Sequence, residues 1–244
     1  MIFEFPTIDI LNKEFNLKDK SFEKEDLEIF SYQGADELKD SCLLLDKTDI
    51  NLNLNGNDLW GIDLPVRISN GKFNKTIVLL GQDPLRKSED YPDIKNKIVV
   101  SLPFAVNYNG RKLREETKKL IEYICDRGDS IYFTDIFKIY TGENLNNKDY
   151  KEVKELNVSI IKQELEMIKP DIIIASGNIA KEFVDKEDIS KKYKIIRIPH
   201  YTTGPRNTKR YFEELKGFSK EPNKEFYVKK FEYLKEQIEK EELL

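Results

Sequence analysis

The sequence is poor in the residues most used for metal and redox chemistry. Its 244 residues include one histidine and two cysteines, Cys42 and Cys125. Two cysteines cannot build an iron–sulfur cluster or a cysteine-rich zinc site within one chain, and a lone histidine excludes chemistry based on a histidine pair. The expectation is therefore no metal and no redox cofactor. No apolar run approaches the roughly 20 residues needed to cross a bilayer. The N-terminus carries acids where a signal peptide would carry a basic segment ahead of an apolar one. Both absences lead us to expect a cytoplasmic protein without a membrane role. Basic charge is not in excess either: 41 Lys and Arg stand against 45 Asp and Glu, for a formal net charge of −4. That balance argues against a strongly basic nucleic-acid binder but leaves room for a local patch. Neither G-x-G-x-x-G nor G-x-x-x-x-G-K occurs, which weakens a third reading, a doubly wound protein holding a mononucleotide at its rim.

What is present is a heavily ionised surface around a sufficient interior. Charged residues reach 35%, above the roughly 25% usual in globular proteins, while hydrophobic residues make up 39%. The length suits one large domain or two small ones. Short β-branched runs recur at Thr76–Leu80, Lys97–Val100, Ser130–Phe133, Asp171–Ile174 and Tyr193–Ile198, and they suit strands buried on both faces of a parallel sheet. Between them, residues 112–125 and 148–168 place Leu120, Ile121, Ile160, Ile161, Leu165 and Ile168 at helical spacing, with Gly128 and Pro170 as stops. A shorter helix is expected after Ser176-Gly177-Asn178. Tyr227, Phe231, Leu234 and Ile238 form an apolar stripe on a charged C-terminal helix, which we read as packed on the core. The alternation predicts a three-layer α/β/α fold around a central, mostly parallel sheet of about four strands. Residues 1–70 read as an N-terminal extension packed on or near the core, and residues 71–244 as the α/β domain. Leu43–Leu45 and Leu64–Ile68 look like core pieces, and Asn55-Gly56-Asn57 reads as a turn.

In open α/β sheets the ligand site lies at the carboxyl ends of the strands. Here those ends run into Gly81-Gln82-Asp83-Pro84, Ser101–Asn107, Thr134-Asp135, Ser176-Gly177-Asn178 and Pro199-His200-Tyr201. Each alone has an ordinary explanation as a strand exit or a packed side chain. Together they aim acid, amide, aromatic and imidazole groups at one rim.

Gly81-Gln82-Asp83-Pro84 after a β-branched strand resembles the water-activating GQDPYH motif of uracil-DNA glycosylases. Ser101-Leu102-Pro103-Phe104-Ala105-Val106 looks like that family's GLxFSV segment, whose Phe stacks on an extruded base. Tyr132–Lys138 is similar to the strand bearing the family's base-reading Asn, and is closest to the NVVKC version of the iron–sulfur branch, although this chain lacks that branch's four cysteines. His200-Tyr201-Thr202-Thr203, with Arg206 and Arg210-Tyr211-Phe212 beyond it, sits where the family has its HPSPL loop and downstream Arg/Phe pair. The resemblance runs in order over roughly residues 75–215, and it implies a uracil-DNA glycosylase-like fold and a DNA glycosylase active in base excision repair. In that frame Asp83 orients the attacking water and stabilises a cationic sugar. His200 stabilises the leaving base. Gln82, Leu85, Phe104 and Asp135 bind the base, and Arg86, Thr202, Arg206 and Arg210 face phosphates.

The chain also departs from the pattern. Leu85 and Arg86 stand where the family has Tyr and His, which removes the aromatic wall that excludes thymine's methyl. Asp135 replaces the amide; an ionised carboxylate only accepts hydrogen bonds, so either it disfavours uracil O4 and suits an exocyclic amine, or Asp135 is held protonated. Shifting the alignment by one puts Thr134 in that place instead. The apolar wedge of the HPSPL loop falls near Gly204. Without a plug, single-stranded or mismatched DNA suits the site better than intact duplex. The expected activity is cleavage of the N-glycosidic bond of an extruded uracil or a modified, amino-bearing pyrimidine. The alternative is a non-catalytic relative that binds DNA or a protein partner through the same pocket.

Overall fold

β-Branched runs form the centre of the molecule and amphipathic stretches cover it. The computed structural model describes residues 1–15, 22, 43–46, 61–82, 97–105, 115–140, 150–199 and 224–243. In chain order its elements are β1 (Ile2–Glu4), α1 (Ile8–Glu14), β2 (Leu43–Asp46), β3 (Gly61–Asp63), β4 (Val66–Ser69), β5 (Thr76–Gly81), β6 (Lys97–Ser101), α2 (Glu115–Asp126), β7 (Ser130–Asp135), β8 (Ile139–Tyr140), α3 (Tyr150–Ile168), β9 (Ile172–Ser176), α4 (Asn178–Lys186), β10 (Lys194–Ile198) and α5 (Lys224–Leu243).

The main sheet has the order β1-β4-β7-β5-β9-β10. Strands β7, β5, β9 and β10 pair in parallel, and β4 and β1 extend the β7 side antiparallel. Every residue of β5, β7 and β9 is buried, as strands covered on both faces require. Alternation divides their side chains between two cores. Ile77, Leu79, Ile131, Phe133, Ile172 and Ile174 face one cluster with Leu120, Ile124, Leu234 and Ile238 of α2 and α5. Val78, Leu80, Tyr132, Ile173 and Ala175 face the other, with Ile161, Leu165, Phe183 and Val184 of α3 and α4. The predicted three layers are therefore present, around a parallel centre of four strands.

One expectation is corrected. The run at 97–100 does form a strand, but β6 lies outside the main sheet. It pairs antiparallel with β2 and parallel with β3, within a second sheet of order β2-β6-β3-β8. Ile98, Val99 and Val100 are fully buried, like the strands of the main sheet. A run of buried β-branched residues reports burial, not partnership, so the sequence pattern could not assign it to a sheet.

The helix ends follow their stop signals. Gly128, at φ 76°, closes α2: its N–H donates to the Cys125 carbonyl at 3.0 Å and that of Asp129 to Ile124 at 3.1 Å, a left-handed cap glycine tolerates. Pro170 follows α3. The C-terminal stripe packs inward, with Leu234 and Ile238 buried and Phe231 against the core. At the N-terminus, β1 pairs with β4 and Leu11 and Phe15 are wholly buried. The hydroxyls of Thr7 and Tyr132 lie 2.7 Å apart in the interior. The Asn55-Gly56-Asn57 turn lies outside the described residues. No helix among the described residues is long and apolar enough to cross a membrane.

Candidate active site

Because β7, β5, β9 and β10 are parallel, their carboxyl ends share one edge. Gly81 ends β5 and stands opposite Asp135, which ends β7. The two residues share the face of Leu79 and Phe133. Phe104 reaches the same point from the second sheet, in a short 3₁₀ turn after β6. A Cβ on Gly81 would overlap Asp135 Oδ1 and lie 2.8 Å from Phe104 Cζ. The missing side chain therefore lets a carboxylate and an aromatic ring close over one strand end.

Phe104 is held in an unusual way. Its backbone is left-handed, at φ 58° and ψ 20°, a conformation that costs a bulky residue of order 1 kcal/mol or more. The ring tilts at 60° against Phe133 with centroids 5.8 Å apart, and the side chain is only partly buried. A strained, partly buried phenyl ring beside a buried carboxylate is an arrangement suited to stacking a planar ligand.

Asp135 is buried, and the chain around it has little freedom. The Ile136 N–H donates to the Gly81 carbonyl at 3.1 Å, and that of Phe137 to the Gln82 carbonyl at 2.9 Å. Lys138 N–H donates to Asn157 Oδ1 at 2.7 Å, and its carbonyl accepts from Asp63 N–H at 2.9 Å. Thr134 faces the opposite side of the sheet, where its hydroxyl donates to Glu164 Oε2 at 2.8 Å. Of the two alternatives at this strand end, Asp135 is the one that faces Gly81 and Phe104.

Beneath the strand end is an ion pair with no solvent access. Lys138 Nζ lies 3.0 Å from Glu164 Oε2, with both side chains at 0% exposure. The ammonium also donates to the Asp135 carbonyl at 2.6 Å and to the Thr134 hydroxyl, so its three donors are all used. Burial pushes the Lys138 ammonium's pKa down, against the pull of Glu164 and then Asp135. Burial likewise pushes Glu164 up, opposed by Lys138, Thr134 and Tyr132. Burial, with Glu164 adding to it, raises Tyr132 well above its ordinary value and keeps its phenol neutral. The motif readings passed over Lys138, Glu164 and Asn157 as site residues. Their signal was available: a lysine inside the apolar run Ile136–Ile139, and two polar residues on the inward stripe of α3 beside Ile160, Ile161 and Ile168.

The family model of the uracil DNA glycosylase superfamily matches residues 68–229. The chain belongs to that superfamily. The matched span takes in β5, the Phe104 turn, β7 and β10. The superfamily's domain is a DNA-glycosylase-like one, and its members act on DNA. No curated protein shows significant similarity to the chain. Among the residues expected to serve the site, Gln82 is half-buried at the end of β5. Asp83, Leu85, Arg86, His200, Thr202, Arg206 and Arg210 lie outside the described residues. At that edge the described chain stops at Gln82 after β5 and at buried Pro199 after β10. Among the described residues, no group of three His, Cys, Asp or Glu side chains is placed to hold a metal.

Proposed function

We propose that the protein is a DNA glycosylase-like hydrolase that cleaves the N-glycosidic bond of an extruded pyrimidine. The observation that carries this reading is the meeting of Gly81, Phe104 and Asp135 at one strand end, in a chain of this superfamily. Phe104 stacks on the base, and the Asp135 carboxylate reads its edge. Bond cleavage leaves the electron pair on the base and a cationic character on the sugar. Asp83 stabilises that cation and takes the proton of the water whose oxygen bonds to C1′, while His200 donates a hydrogen bond to the leaving base. Gln82 and Leu85 complete the base pocket, and Arg86, Thr202, Arg206 and Arg210 contact phosphates.

An acceptor-only carboxylate favours a base with an exocyclic amine over uracil. Lacking a wedge, the protein acts on single-stranded or mismatched DNA, where a base leaves the stack at least cost. The test is a glycosylase assay on oligonucleotides carrying uracil, cytosine, thymine and modified pyrimidines, with Asp83→Asn and His200→Ala alongside. Abasic product on at least one substrate, lost in D83N and reduced in H200A by 10²-fold or more, supports the reading. No product on any base, together with salt-sensitive DNA binding, favours the non-catalytic relative.

A further inference from the structure

The Lys138–Glu164 pair has no part in the chemistry above, and on stability alone it is hard to explain. Taking two charges out of water costs several kcal/mol, and a well-packed apolar pair of similar volume is often as stable or more so. The place of this pair explains more than its strength. Lys138 Nζ binds the main-chain carbonyl of Asp135, the residue whose side chain closes over Gly81 beside Phe104. The Asp135 charge in turn helps to hold the ammonium protonated, after Glu164. Around it, the N–H groups of residues 136–138 donate to the Gly81 and Gln82 carbonyls and to the Asn157 side chain, and the Lys138 carbonyl accepts from Asp63, which fixes this stretch in three directions.

We propose that Lys138 is a positioning residue for the base-reading edge. Anchored by Glu164 and Thr134, it fixes the main chain of Asp135 and supplies the positive charge that keeps its carboxylate ionised towards the pocket. The site then selects a base edge that donates a hydrogen bond over one that accepts. This deepens the glycosylase reading and rests on it. Among the described residues, the charged and titratable groups near the pair include Asp135 and Tyr132 on β7, Asp63 on β3, whose N–H donates to the Lys138 carbonyl, and Arg67 on β4 opposite Tyr132. Lys138 donates to the main-chain carbonyl of Asp135.

Two variants separate this role from a structural one. In Lys138→Met/Glu164→Gln both charges go together and the volumes are kept. In Glu164→Gln the ammonium stays and loses its counter-ion. Melting curves establish that each folds. Titration of the Asp135 carboxyl by ¹³C NMR then gives a readout that needs no catalysis. In the double variant the Asp135 midpoint should rise by a pH unit or more. In E164Q, read below the pH at which the buried ammonium gives up its proton, the midpoint should fall. On single-stranded oligonucleotides, the ratio of kcat/KM for an amine-bearing pyrimidine over uracil should drop at least tenfold in the double variant and hold or increase in E164Q. A folded double variant with an unchanged midpoint and unchanged ratio would overturn the proposal. If the double variant does not fold, an Asp135 midpoint that stays or rises in E164Q overturns it. Should the wild type cleave no base, the glycosylase reading fails, and the titration still decides whether Lys138 governs Asp135.

Discussion

Gly81 illustrates how one atom fewer shapes the site. Its backbone needs no glycine conformation; what requires glycine is the approach of Asp135 and Phe104. Gly81→Ala must displace a buried carboxylate or a strained ring, and such overpacking costs about 1–3 kcal/mol. We expect a fall in melting temperature together with loss of nucleobase binding, checked by calorimetry and by fluorescence titration with a single-stranded oligonucleotide. Asp135→Asn should retain the fold and shift the base preference towards uracil, because an amide both donates and accepts. An unchanged preference in the oligonucleotide assay would refute a reading role for that side chain. At this scale the letters showed where the strand ends lie, not what they do. GQDP and LxFxV carried Gln82 and Phe104, and strand alternation could have chosen Asp135 over Thr134 once the register was known. Lys138 was legible only as an oddity, since a charge in an apolar run reveals burial but not its partner, and Glu164 lies 26 positions away in sequence.

Elements were easier to read where a stop signal or a stripe marked them. Gly128 closes α2 and Pro170 follows α3, as their chemistry dictates, and the stripe of α5 is buried. The sheet to which β6 belongs was not legible, because its partners β2 and β3 are short strands from a segment with weak patterning. The docking of α5 also depends on charges that periodicity does not show. Arg127 Nη2 on the loop after α2 reaches both carboxylate oxygens of Glu242 at 2.6 Å, and Lys75 joins them at 3.1 Å. Burial alone would raise the Glu242 pKa, but the bonds from Arg127 and Lys75 outweigh it and hold the carboxyl below 4.5. A depressed carboxyl contributes stability above its unfolded value and loses it as pH falls through the folded one. Glu242→Gln should therefore cost about 1 kcal/mol at neutral pH, as expected of a bidentate, partly shielded pair. The gap between wild type and variant should close as the solution is acidified below the ordinary Glu value. Urea melts across pH would show it, and a gap independent of pH would contradict it.

For the molecule as a whole, the net charge of −4 bears on how it meets DNA. Three arginines, Arg86, Arg206 and Arg210, with Lys87 and Lys209 beside them in sequence, are the cations expected at the rim. Each phosphate neutralised on a single strand contributes about −0.7 to the slope of log K against log salt. A slope between about −2 and −4 follows for single-stranded DNA, measurable by fluorescence anisotropy. A slope near that of a strongly basic duplex reader, about −10, would contradict a site built from so few contacts.

The N-terminal residues have a practical consequence for anyone cutting the chain. Recognisable ancestry begins at residue 68, inside β4, yet β4 is flanked by a strand from residues 2–4 and lies in the same core as Leu11 and Phe15. Burying each such side chain contributes about 1.5–3 kcal/mol, against a total stability of about 5–15 kcal/mol for a whole domain. A fragment trimmed to the matched span would begin mid-strand, with an open hydrogen-bonding edge and an uncapped apolar surface. Deleting even residues 1–15 should turn a cooperative thermal transition into a broad one or yield an aggregating product, and circular dichroism with light scattering would tell which. The smallest piece that refolds is thus set by packing, and it starts well before the piece that looks familiar.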